Sequence, residues 1–141
     1  MEYEGYSIYP GSTSTEVLKR DSLCVYQYVT QKLGFRRQNI IVMGRSIGTG
    51  VALELMRTVN PGALVLISPF ASIKSLAREF VGFLGELIAK EAFDNRANIE
   101  MVACPTFLLH GKKDSTISFE NTIELASRPV LTQSCARVTK R

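Results

Sequence analysis

The 141 residues hold a single histidine, His110, and only three cysteines. Cys24, Cys104 and Cys135 are far apart, odd in number and form no C-x-x-C pair or Cys/His cluster. That excludes a disulfide framework and a zinc module, and it points to a reducing compartment. Long hydrophobic runs are missing too. No apolar stretch approaches the roughly 18 residues of a membrane span, and the longest, such as 63–67, are core-strand length. Met1-Glu2-Tyr3-Glu4 is acidic and polar, unlike a signal or transit peptide. There is no internal repeat, no low-complexity segment and no G-K-[ST] for a Walker loop.

What is present fits one ordinary globular domain. Hydrophobic residues make up 45% and charged residues 21%, which excludes a mainly disordered chain, a collagen or a coiled coil. The net charge of +4 is confined to the end of the chain. Arg128, Arg137, Lys140 and Arg141 lie in an acid-free terminal stretch, and the remaining bases balance the 13 acids. A neutral body with a basic tail argues against a nucleic-acid surface. The tail itself reads as a solvated terminus.

Helical and strand patterns alternate. Thr13 and Glu16 fit a capping box, with a helix following to about Leu33 and stopping at Gly34. Val17, Cys24, Val25, Tyr28 and Val29 supply its apolar stripe. Residues 39–43 read as a buried strand, 47–58 as a helix, and Asn60-Pro61-Gly62 as a breaker. Residues 63–67 form a second buried strand. A helix over 72–91 has apolar positions at i, i+3/i+4 spacing; it is a core-packing helix or, alternatively, a lid or membrane-contacting surface. Residues 105–109 form a third strand, and 118–126 a short helix. Continuous apolar strands alternating with helices predict an α/β fold with a parallel sheet covered on both faces.

Gly44-Arg45-Ser46-Ile47-Gly48 follows the first strand and opens the next helix. G-x-S-x-G is common by chance, but between a buried strand and a helix it has the setting of a nucleophile elbow. The glycines leave room for a strained turn that lifts the serine hydroxyl clear of the sheet. The Ile47 N–H, at the helix start, can then stabilise an oxyanion. A phosphate loop fits less well, because Gly44, Gly48 and Gly50 do not space as G-x-G-x-x-G. Past the third strand stands Asp114, on the same rim of the sheet as Ser46. It can orient a histidine and stabilise its charged form, or it can be a simple turn aspartate. Arg45 can meet an anionic substrate or make a structural contact.

These segments resemble the α/β hydrolase superfamily over about residues 3–125. Tyr3-Glu4-Gly5-Tyr6-Ser7 is similar to its D-Y-x-G-Y-G-x-S loop. Gly44-Arg45-Ser46-Ile47-Gly48-Thr49-Gly50 is similar to its elbow. Phe93-Asp94-Asn95, Ile99 and Val102-Ala103-Cys104-Pro105 resemble the stretch before its seventh strand, and His110-Gly111-Lys112-Lys113-Asp114 resembles its H-G-x-x-D segment. The elbow G-x-S-I-G-T is similar to that of the branch containing protein-depalmitoylating thioesterases. The resemblance implies a partial α/β-hydrolase domain over 1–127 and a basic irregular tail over 128–141. It implies Ser46 as nucleophile, Asp114 as triad acid and the Ile47 backbone N–H as one oxyanion donor. It implies a serine hydrolase of esters or thioesters, including palmitoyl groups on proteins, with no metal or organic cofactor. The expected partner is an acylated protein or a small ester or thioester, with no nucleic acid. The expected location is cytoplasmic, extending to the cytoplasmic face of membranes through segments outside these residues.

The resemblance also defines what is missing. The family's histidine follows its acid along the chain, and no histidine follows Asp114. His110 matches the family's strand-end histidine, not its base. The second oxyanion donor comes from a loop upstream of Tyr3, and the strand that would flank 39–43 also lies upstream. The expectation is a fragment inactive alone, with an exposed, sticky strand edge. The alternative is a catalytically silent scaffold that acts as a binding protein.

Overall fold

The computed structural model describes Pro10 and residues 14–81 and 93–129. Helix α1 (Thr15–Gln27) starts where a side chain meets one of its unpaired amides. Ser14 is extended at φ −131°, and its Oγ accepts from the Val17 N–H at 3.2 Å. This cap falls one residue after Thr13. The helix continues as a π turn over Tyr28–Lys32, so winding persists almost to Leu33. Its inward residues are Leu18, Ser22 and Tyr26, whereas Cys24, Val25 and Tyr28 of the expected stripe are exposed. A helix with apolar residues around much of its circumference does not reveal its buried side by spacing alone. Here the face against α2 wins, and Val25 and Val29 line a groove beside the first strand instead.

Strand β1 (Ile41–Arg45) leads into α2 (Ile47–Met56), then β2 (Ala63–Ile67) and α3 (Ile73–Val81). After α4 (Asn95–Glu100) come β3 (Thr106–Leu109) and α5 (Glu120–Ala126). Helix α4 is absent from the sequence reading. Six residues carry too little periodicity to reveal it, although Asp94 caps it by accepting from the Ala97 N–H at 3.3 Å. The expected 72–91 helix is present through Val81, and its remainder lies outside the described residues. The tail from 130 onward also lies outside them. Arg128, counted with that tail, is tied to the body, 2.9 Å from Glu100 and 3.5 Å from Glu124.

The strands are parallel and ordered β1-β2-β3. Val42, Leu64 and Thr106 stand side by side in the register, as do Gly44, Leu66 and Leu108. This face carries the main core, where Leu64, Leu66 and Leu108 meet Leu53 and Met56 of α2, Tyr26 of α1, Ile99 of α4 and Leu125 of α5. Fully burying one such side chain contributes roughly 1.5–3 kcal/mol, well above a surface ion pair. A second cluster around Phe70 joins Leu18, Val51, Phe93 and Ile117, with Ile73 and Leu76 of α3 against it. Glu54 ties three helices together: Lys19 lies 3.1 Å away, Arg57 3.1 Å, and Asn98 donates at 2.9 Å.

The other face of the sheet differs from the two-sided cover that continuous apolar strands predict. Val65, Ile67, Phe107 and Leu109 are only half-buried. The 39–43 run, read as buried, is an edge strand whose Ile41 and Met43 are 65% and 66% exposed. Among the described residues no strand pairs beyond β1, and the described helices contribute to the clusters on the opposite face.

Candidate active site

The three strand ends interlock across one rim of the sheet. The Ser46 N–H donates to the Ile67 carbonyl at 3.0 Å, and the Ser68 N–H donates to the Leu109 carbonyl at 2.8 Å. Each bond carries the chain one residue past its strand before it turns. Ser46 therefore follows β1, Ser68 follows β2, and His110 follows β3.

Ser46 turns with φ 50° and ψ −123°, a left-handed conformation that non-glycine residues rarely adopt. Its carbonyl accepts from the Thr49 N–H at 2.9 Å and from Thr49 Oγ1 at 2.6 Å. Its own hydroxyl makes no capping bond to α2. The side chain is thus exposed at the head of a helix it does not cap. Ile47 is the first residue of that helix, so no carbonyl within the helix can take its amide hydrogen. Arg45 is exposed beside the elbow.

The elbow's two glycines are not equivalent. A Cβ on Gly44 would lie 2.4 Å from the Gly48 carbonyl oxygen, whereas a Cβ on Gly48 would meet nothing within 4 Å. Strand and helix close on each other at Gly44 only.

Asp114 sits on the loop after β3, and both of its oxygens are engaged. Oδ1 accepts from the N–H groups of Thr116 and Ile117 at 2.9 and 3.0 Å, while Oδ2 accepts from the Ser68 hydroxyl at 2.9 Å. The Ile117 N–H is the largest influence holding this carboxyl below the ordinary aspartate range. Partial burial opposes it, and the Thr116 N–H, the Ser68 hydroxyl and nearby His110 reinforce it. Asp114 is therefore a turn former through one oxygen while it keeps a charged carboxylate at the rim. β1 and β3 are separated by β2, two strand spacings or roughly 10 Å. The ends of the elbow strand and the acid strand thus leave a gap over β2 on this rim.

His110 does not fill it. The ring is 1% exposed, with Nδ1 2.5 Å from Thr122 Oγ1 and Nε2 2.9 Å from the Ile117 carbonyl. A carbonyl only accepts, so Nε2 carries hydrogen, and the Thr122 hydroxyl engages the other nitrogen. Phe119 meets the ring edge-on at 5.8 Å. Neither nitrogen is available to Ser46. Ser68 is the site residue that the sequence reading missed; its one signal is a serine ending an apolar strand directly before Pro69.

A left-handed serine between a parallel strand and a helix, with a carboxylate two strands away on the same rim, defines the fold and elbow of an α/β hydrolase. Known proteins agree on the family and the fold. Residues 5–96 match the family model Say1_Mug180, described as steryl acetyl hydrolase. The chain is 30% identical over 139 residues to the lysophosphatidylserine lipase ABHD12 of Danio rerio, covering 85% of this chain and 36% of that protein. It is 30% identical over 127 residues to the α/β hydrolase domain-containing protein aho-3 of Caenorhabditis elegans, covering 90% and 37%. It is 27% identical to human α/β hydrolase domain-containing protein 17B, covering 90% and 43%. In fold it resembles an α/β hydrolase from Vibrio vulnificus, with a TM-score of 0.77, 19% identity and coverage of 99% and 54%. The family match takes in more than half of the chain, which belongs to the steryl acetyl hydrolase family of the α/β hydrolases. It spans about a third of the length of the first two relatives.

Proposed function

We propose that this chain carries the nucleophile and the acid of a serine hydrolase that cleaves acyl esters or thioesters. The observation that carries the reading is Ser46, exposed and left-handed at the head of α2 with its hydroxyl free of any capping bond. In the reaction, Ser46 Oγ attacks the acyl carbonyl carbon and its proton passes to a histidine supplied from outside these 141 residues. The Ile47 N–H donates to the developing oxyanion. Asp114 holds the histidine and stabilises its charge. The tetrahedral intermediate collapses, and the alcohol or thiol leaves with the histidine's proton. Water then attacks the acyl-enzyme, giving its proton to the histidine, and releases the acid with Ser46 restored.

The substrate we propose is a lipid-like acyl ester or a protein S-acyl thioester such as a palmitoyl group. The names of the relatives, a steryl acetyl hydrolase family and a lysophosphatidylserine lipase, support the ester. The Ser46-Ile47-Gly48-Thr49 elbow, similar to that of the depalmitoylating branch, supports the thioester. Three cysteines far apart in sequence, with no C-x-x-C pair, support a cytoplasmic setting, including membrane faces where acyl substrates reside. A second reading, a catalytically silent binding protein, is favoured by one observation: the only histidine has both ring nitrogens engaged away from Ser46.

Labelling native lysate with a fluorophosphonate and mapping the modified peptide decides between them. The expected result is label on Ser46 in a protein that also carries a triad histidine. Recovery of the Ser46 peptide unlabelled from every band overturns the hydrolase reading in favour of the silent one.

A further inference from the structure

We propose that Ser68 is a positioning residue for Asp114: its hydroxyl fixes the carboxylate so that one lone pair of Oδ2 faces the open rim for the triad histidine. This rests on the hydrolase reading above. Ser68 is left-handed at φ 47°, a conformation held only when the surroundings over-determine it. They do here. The Ser68 N–H bonds the Leu109 carbonyl at 2.8 Å. Two residues on, Asn95 Nδ2 donates to the Phe70 carbonyl at 2.8 Å. The Ala71 N–H donates to Asn121 Oδ1 at 2.9 Å, and the Ala71 carbonyl accepts from the Arg96 N–H at 3.2 Å. Phe70 and Ala71 are fully buried. The loop after the central strand is thus pinned from α4 and α5, and Ser68 stands between the elbow strand and the acid strand.

The carboxylate's own bonds give that placement a purpose. Oδ1 already takes two backbone N–H groups. Among the described residues Oδ2 takes only the Ser68 hydroxyl, with His110 Nε2 farther off at 3.5 Å and directed to the Ile117 carbonyl. An incoming imidazole N–H therefore finds its acceptor on Oδ2, and Ser68 selects which side of that oxygen is open. Without the hydroxyl, the carboxylate keeps its turn but loses the donor that sets the outer oxygen.

The test reads the carboxylate directly. Side-chain carboxyl carbon titration by NMR, with Asp114→Asn identifying the resonance, is followed in Ser68→Ala and Ser68→Gly, the second of which suits the left-handed backbone. Both variants lack the hydroxyl, and both are expected to raise the Asp114 midpoint by about 0.5 or more. In the protein that labels at Ser46, both are expected to slow fluorophosphonate labelling on the order of tenfold. An unmoved midpoint in folded Ser68→Ala overturns the proposal, as does a moved midpoint with undiminished labelling. If the unsubstituted protein never labels, the hydrolase reading falls instead, while the titration still decides whether Ser68 sets Asp114.

Discussion

The Nε2 of His110 lies 2.9 Å from the Ile117 carbonyl oxygen, which turns the chain's only histidine into a brace for the acid loop. Residues 110 and 117 bracket Asp114, and the Ile117 N–H in turn donates to Asp114 Oδ1 at 3.0 Å. His110→Ala would leave a cavity and strip partners from Thr122 and the Ile117 carbonyl. We expect it to destabilise the fold by about 2–4 kcal/mol in urea unfolding. Long-range nitrogen–proton spectra of the native ring should show hydrogen on Nε2. A ring with Nε2 unprotonated, or an alanine variant of native stability, would contradict the bracing role.

The elbow glycines should separate under mutation. Gly44→Ala places a Cβ 2.4 Å from a backbone carbonyl that cannot swing away, because Gly48 lies in α2. A loss on the order of 3 kcal/mol or more is expected. Gly48→Ala meets open space in a helical position and should be neutral or stabilising by about 0.5–1 kcal/mol. Paired chemical denaturation checks both. Equal losses at the two positions would defeat the asymmetry.

Acid should destabilise the protein through two carboxylates in particular. Asp114 is held low chiefly by the Ile117 N–H. At Glu54, burial alone pushes the carboxyl up, but hydrogen bonds from Lys19 and Asn98 and the charges of Lys19 and Arg57 outweigh it. Both folded pKa values thus lie below the unfolded ones, which are about 3.9 for Asp and 4.3 for Glu. The stability they confer is complete above that range and is lost as pH falls through the lower folded values. Melting temperature followed from pH 6 to pH 2.5 should fall accordingly. Asp114→Asn should show a shallower fall; an unchanged slope would remove Asp114 from the account.

Much of the strand and turn arrangement is legible in the sequence. The runs 63–67 and 105–109 are short, apolar and bounded by breakers, and they became β2 and β3. Gly44 and Ser46 were legible because a strand-to-helix turn this tight admits few residue types. The buried side of α1 was not, since Val25 and Tyr28 suit a stripe as well as Leu18 and Tyr26 do. The outward exposure of β1 depends on which strands lie beside it, and no property of 39–43 encodes that; it entered only through the resemblance. Ser68 was hidden because its role is a contact across 46 residues of sequence. No local spacing registers such a bond.

The exposed edge of β1 should govern how the chain associates. Ile41 and Met43 are 65% and 66% exposed on one face of β1, and beside them Val65 and Phe107 are only half-buried. The outer backbone groups of β1 have no partner strand among the described residues. An apolar, unpaired edge recruits other chains, so the 141-residue chain should self-associate at micromolar concentration in sedimentation velocity. Replacing Ile41 and Met43 together by lysine puts charge on that edge, with little buried area to lose. The weight-average sedimentation coefficient should move toward that of a 15.6 kDa monomer. Folding stability should change by less than about 0.5 kcal/mol per site. Self-association undiminished by the two lysines would show that the chain associates through another surface, and a large loss of stability would show that Ile41 and Met43 are buried in solution.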